Sequence, residues 1–120
     1  QGNELLNVLD DANEPVILLG DFNSGPDDTG SDRITYDSLT DEYMDAWVEA
    51  GGSNGFTCCQ DPLIRNTTSE LSSRIDLVLY RGDVEATAVA LVGEDPADMT
   101  SSGVWPSDHA GVVSTLTVRN

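Results

Sequence analysis

The chain has 120 residues and a formal charge of −17 at pH 7, from five basic residues against 22 acidic ones. That balance excludes a basic surface holding nucleic acid by counterion release, and it argues against docking on an anionic membrane. With 38% apolar residues and no apolar run long enough to span a bilayer, the composition is that of one domain over residues 1–120 with a core of its own.

Residues 2–12 read as a short helix with Leu5, Leu6 and Leu9 on one face. The residues after Gln1 do not read as a secretory leader, and a first residue other than Met fits a fragment or a processed product. Pro15 releases the run Val16-Ile17-Leu18-Leu19, which is short and β-branched enough for a buried strand ending at Gly20. A long loop rich in Gly, Asp and Ser then runs from Asp21 to Thr35. Residues 38–50 are expected to form one helix, capped by Ser38, with Leu39, Tyr43, Ala46, Trp47 and Ala50 as its apolar stripe and Gly51-Gly52 as its stop.

Gly55 to Cys59 is expected to be a short strand. A bridge between the adjacent Cys58 and Cys59 would close a strained eight-membered ring, so they read as two unpaired small hydrophobes on opposite sides of that strand. Asn66-Thr67-Thr68 fits a glycosylation acceptor, a triplet common by chance. After a polar loop, Arg74 to Tyr80 and Val84 to Val92 are expected to pair as a hairpin around Gly82-Asp83. Val84, Ala86, Ala88, Ala90 and Val92 would line one side of its second strand. The last strand is expected from Val112 to Val118. The sum is an α/β layer, one sheet with helices on one face.

Three short segments carry groups suited to chemistry. Gly20-Asp21-Phe22-Asn23 follows a buried strand, and ligands collect beyond the carboxyl ends of such strands. Asp21 and Asn23 would point the same way there, to hold a water, a metal or a phosphate oxygen; the plainer reading is an Asx-turn. In Arg74-Ile75-Asp76, Asp76 interrupts an aliphatic strand, and burial of its charge requires a partner. Arg74 on the same face is one partner, and His109 is another. In Ser107-Asp108-His109 stands the one histidine of the chain, structural unless a carboxylate such as Asp76 supports its charge. Asp108 beside it offers hard oxygen to a divalent cation.

Taken in that order, Gly20-Asp21-Phe22-Asn23, Arg74-Ile75-Asp76 and Ser107-Asp108-His109 resemble the endonuclease/exonuclease/phosphatase (DNase I-like) superfamily. Gly55-Phe56-Thr57-Cys58-Cys59 also resembles the strand before the middle motif in some bacterial and archaeal members. The resemblance implies a metal-dependent phosphoesterase acting by direct water attack. It implies Asp21 as the group that orients or deprotonates the water, and Asn23 as its holder or that of the transition-state oxygen. His109, supported by Asp76, is implied to bind the phosphoryl oxygens. Asp108 and Asp21 are implied as ligands of Mg²⁺, with Mn²⁺ or Ca²⁺ as alternatives. The family fold is a four-layered α/β sandwich, and the motifs here belong to its C-terminal half, a mixed, mainly antiparallel sheet. The N-terminal Asn, the metal-binding Glu and the phosphate-binding Tyr and His of the family have no counterparts before Gly20. The resemblance therefore implies an inactive isolated chain whose bare sheet face meets the missing N-terminal half.

Two other readings come from the residues. Asp27-Asp28-Thr29-Gly30-Ser31-Asp32 offers oxygen ligands for a non-catalytic cation-binding module, though without the spacing of an EF-hand loop. A second copy could also cover the bare face in a homodimer. The substrate class stays open among nucleic acid, phospholipid and sugar phosphate. The Asp-rich, Lys-free surface leans toward an extracellular or high-salt setting.

Overall fold

A computed structural model describes residues 2–119. Its elements are α1 (Gly2–Leu9), β1 (Val16–Asp21), α2 (Ile34–Thr40), β2 (Met44–Asp45), α3 (Ala46–Glu49), β3 (Asp76–Arg81), β4 (Val84–Val92) and β5 (Gly111–Val118), with 3₁₀ turns at Gly30–Arg33 and Pro96–Asp98. All ladders are antiparallel. A three-stranded sheet has the order β1-β3-β2, and β4 and β5 form a second, two-stranded sheet. The α/β class holds, with the backbone bonding divided between two ladders that adjoin where β3 and β5 pack together.

The main core lies between the first sheet and α1 and α2. Leu77 and Leu79 of β3 meet Tyr36, Leu39 and Tyr43, with Leu5, Leu6 and Leu9 of α1 closing over them. Alternation along β3 turns Asp76, Val78 and Tyr80 to the other face, where Tyr80 packs with Ala46 of α3 and Ala86 of β4. The last turn of α1 contains no basic residue. Arg81 supplies one from β3, its guanidinium donating to the Leu9 carbonyl at 2.8 Å while lying over the Tyr43 ring.

Five sequence expectations change. The helix expected over residues 38–50 is two helices separated by β2, because Met44 and Asp45 pair with Tyr80 and Leu79 at the edge of β3. Leu39, Tyr43 and Ala46 are buried as expected, since their spacing serves either arrangement. The hairpin of β3 with β4 does not form. The two edges of β3 are taken by β1 and β2, so the turn at Gly82 sends β4 away to pair with β5. Along β4 a bulge between Ala86 and Ala88 shifts the register, so Val89 and Leu91 turn inward and Ala88, Ala90 and Val92 outward. The segment expected as a strand over residues 55–59 makes isolated bridges alone, from Cys58 to Ser73 and to His109. Cys58 and Cys59 are joined as a vicinal disulfide rather than left unpaired.

The break before α3 exists because Asp45 points into the protein. Its carboxylate meets the Arg74 guanidinium at 2.8 Å, both side chains 4% exposed. It also accepts from the Tyr36 hydroxyl at 2.9 Å and from Trp47 N–H at 3.0 Å, the latter capping α3. Burial, and then the charge of Asp45, hold the Tyr36 phenol above its ordinary value of 10.0 despite Arg74. A paired buried charge is tolerable, whereas a stranded one is not. Asp45→Asn is therefore expected to lower unfolding free energy by about 3–5 kcal/mol, read as an earlier midpoint in urea with an unchanged slope.

Candidate active site

Asp21 and Asp76 end β1 and begin β3, and they are direct cross-strand partners. Like charges placed opposite each other in a ladder are destabilising unless a positive group stands between them. His109 is that group. Its Nδ1 lies 2.7 Å from Asp76 Oδ2, with both side chains about a quarter exposed. Oxygens of Asp21 and Asp76 and a ring nitrogen of His109 all fall within 4.8 Å of one another. Burial alone would lower the ring's pKa. The Asp76 hydrogen bond, and the charges of Asp76, Asp108 and Asp21, outweigh it and raise the value above the usual 6.5.

The loop leaving β1 is held to β3 by its own backbone. Phe22 N–H donates to the Ile75 carbonyl at 3.0 Å. Asn23 sits in the left-handed region at φ 48°, which Asn tolerates better than most residues, and its N–H donates to Asp21 Oδ1 at 2.8 Å. Two residues on, a Cβ at Gly25 would lie 1.9 Å from the Arg74 carbonyl oxygen. No side chain fits between these strands at that point.

Thr57, which the sequence reading passed over, ties the other two segments together. Its fully buried hydroxyl accepts from Ile75 N–H at 3.2 Å and Asp76 N–H at 3.1 Å. Its carbonyl accepts from Ala110 N–H at 2.8 Å. One residue thus positions the backbone of Asp76 and of the residue after His109. The signal in the sequence was a lone hydroxyl residue between Phe56 and Cys58 in a segment otherwise apolar.

Of the expected site residues, Asp21, Asp76 and His109 converge. Asn23 stands beside Asp21 on the same loop and also lines a small hollow with Gly2, Leu5 and Thr35. Asp108 is exposed at the mouth, accepting from Ser107 Oγ at 3.3 Å, and reaches His109 through its charge. Arg74, weighed as the partner of Asp76, is instead spent on Asp45. Among the described residues, the loop from Asp27 to Asp32 forms no cluster of three cation ligands; Asp28 caps Gly25 N–H at 2.8 Å. Asn66 of the glycosylation triplet is turned inward, donating to Gln60 Oε1 and the Thr68 carbonyl.

Beyond Asp76, on the sheet face away from α1 and α2, lies an open groove of about 650 Å³ between β1, β3 and β5. Its walls include Ile17, Leu19 and Val113, of which Leu19 is 72% exposed. An apolar face this bare is unusual on a lone domain. No helix among the described residues is long and apolar enough to cross a membrane.

The model of the endonuclease/exonuclease/phosphatase family matches residues 2–109. No curated protein matches the chain. Among solved structures, an endonuclease/exonuclease/phosphatase family protein from Leptotrichia buccalis superposes with a TM-score of 0.64 at 17% identity, over 98% of this chain and 42% of its own. TDP2 of D. rerio, complexed with single strand DNA product, gives a TM-score of 0.65 at 21% identity, over 97% of this chain and 48% of its own. A mannosyl-6-phosphatase from Bacteroides thetaiotaomicron gives 0.57 at 19%, over 96% and 42%. These likenesses are likenesses of fold, and the chain spans less than half the length of each neighbour.

The raised pKa of His109 has a signed consequence for stability. The Asp76–His109 pair contributes in full below the ring's usual 6.5, and its contribution fades as pH rises through the higher folded value. Proton NMR titration of the imidazole should place the midpoint above the usual value in the native chain and lower it in Asp76→Asn. An unmoved midpoint in the variant would remove Asp76 as the cause.

Proposed function

This chain belongs to the endonuclease/exonuclease/phosphatase family, and from that membership we propose that it supplies the C-terminal part of a metal-assisted phosphoester hydrolase site. The observation that carries the reading is the Asp76–His109 pair at 2.7 Å with Asp21 directly across the ladder from Asp76. With the ring doubly protonated, Nδ1–H donates to Asp76 and Nε2–H is left for a phosphoryl oxygen. Asp76 and its neighbours favour that charged form, which stabilises negative charge growing in the transition state. Asp21, exposed at the strand end, accepts the proton of the attacking water. Asn23, next but one along the loop, holds that water or the phosphoryl oxygen through its side-chain amide.

The donor set fits a hard divalent cation, since carboxylates predominate where the three segments meet. Asp21 and Asp108 would hold Mg²⁺, or Mn²⁺ or Ca²⁺ in its place, and when bound the ion polarises the phosphate and eases departure of the leaving oxygen. We assign the groove walled by Ile17, Leu19 and Val113 to the residues by which the solved neighbours exceed this chain, their sheet packing on this one. A second copy across the same face would show itself as a dimer in light scattering. The charge of −17 favours a compact phosphate ester over a long polyanion, and it suits an extracellular or high-salt setting.

Hydrolysis of bis(p-nitrophenyl) phosphate, with and without Mg²⁺, tests the reading. In the complete protein, His109→Ala is expected to cut kcat by about 10²–10⁴-fold; a near-native rate sinks the assignment. The 120-residue chain by itself is expected to show no turnover, and measurable Mg²⁺-dependent hydrolysis by it would overturn the division of the site between two halves.

A further inference from the structure

The chain has seven asparagines, and Asn54 is the one followed by glycine. An asparagine side chain is open to attack by the backbone nitrogen of the next residue, and glycine, with no Cβ, shields that nitrogen least. Asn54 is exposed. It sits in the left-handed region at φ 54°, with Gly55 at φ 75°, in the irregular stretch after α3. Among the described residues neither the Asn54 side-chain amide nor the Gly55 N–H makes a hydrogen bond. No ladder or cap therefore holds the peptide between them against rotation. Both residues line a hollow of about 250 Å³ open to solvent. The other described asparagines are held. Asn3 and Asn7 lie in α1, and Asn13 donates to the Asp11 carbonyl. Asn66 donates to Gln60 and Thr68, and Asn23 precedes the buried Ser24.

We propose that Asn54 is a site of spontaneous deamidation. The Gly55 nitrogen bonds to Asn54 Cγ, the bond from Cγ to Nδ2 breaks, and ammonia leaves with the proton that Gly55 gave up. The product is a succinimide ring. Water opens that ring at either carbonyl, leaving aspartate or isoaspartate at position 54 and adding a carboxylate to the chain. The isoaspartate form carries the main chain through the former side chain and so lengthens it by a methylene beside Gly55. That backbone has no slack, since a Cβ on Gly55 would already lie 2.4 Å from Cε2 of Trp47. Thr57, whose hydroxyl holds the Ile75 and Asp76 N–H groups, follows on the same segment, so lengthening it displaces that hydroxyl. The reaction needs the chain and water alone, and it stands apart from the hydrolase reading.

The chain, aged at neutral and at mildly alkaline pH, is mapped by mass spectrometry beside a synthetic peptide of residues 50–60. Expected is the amide-to-acid mass gain at position 54 ahead of every other asparagine. Its rate should lie within about tenfold of the peptide's, because local opening there costs little. The rate should also rise with pH, as removal of the Gly55 proton requires, and the product should accept a methyl group from an isoaspartyl methyltransferase. Asn54→Gly, which suits the left-handed φ, should remove the early mass gain. In the isoaspartate form the Ile75 and Asp76 amides should exchange with deuterium faster than in the unaged chain. A position 54 that stays silent while the peptide converts would overturn the proposal, as would earlier conversion at another asparagine or an early gain that survives in Asn54→Gly. Unchanged exchange at Ile75 and Asp76 would overturn the link to Thr57.

Discussion

The site depends on one hydroxyl that never meets solvent. Thr57 accepts from the backbone at the start of β3 through its side chain and from the backbone before β5 through its carbonyl. The segments that begin β3 and precede β5, far from each other in sequence, are thereby set side by side, and the Asp76–His109 contact follows from that placement. Side-chain hydrogen bonds to buried backbone are costly to lose because the orphaned groups have no water to turn to. Gln60 N–H, bonded to the Asp108 carbonyl at 2.8 Å, extends the same seam to the residue before His109.

A second constraint is electrostatic. Opposing carboxylates on adjacent strands, Asp21 and Asp76, form a place where the fold gives up stability locally. Such concessions are expected at working sites. The strands are kept in register from below by apolar packing of Leu77 and Leu79, and from the side by the Arg74–Asp45 pair. Arg74 is the residue before Ile75-Asp76, yet its charge is consumed by the interior. The carboxylate that meets His109 and the buried ion pair occupy neighbouring positions of one strand end without sharing a partner.

The three tripeptides were legible because each sits where a strand meets a loop, and their order is independent of how the elements pack. The limits of legibility are equally physical. A stripe at Leu39, Tyr43 and Ala46 serves a helix as well as a helix, a strand residue and a second helix; the partner that decides, Arg74, lies far along the chain. The hairpin expectation for β3 and β4 used local turn chemistry alone, and competition from β1 and β2 for the edges of β3 does not show in the turn. Thr57 was missed because its importance lies in what it accepts from elsewhere. The vicinal disulfide was set aside on ring strain, an argument about two residues in isolation.

The bulge in β4 has a bearing on how such a chain survives in solution. Among the described residues β4 ladders with β5 alone, so its outer edge there is a row of N–H and C=O groups outside any ladder. With one extra residue between Ala86 and Ala88, that row changes phase midway, and a straight strand from another molecule cannot match it along its whole length. Edge irregularity and mutual repulsion at −17 then act on different routes to aggregation. The first blocks growth by strand addition, and the second keeps molecules with a bare apolar face from meeting often.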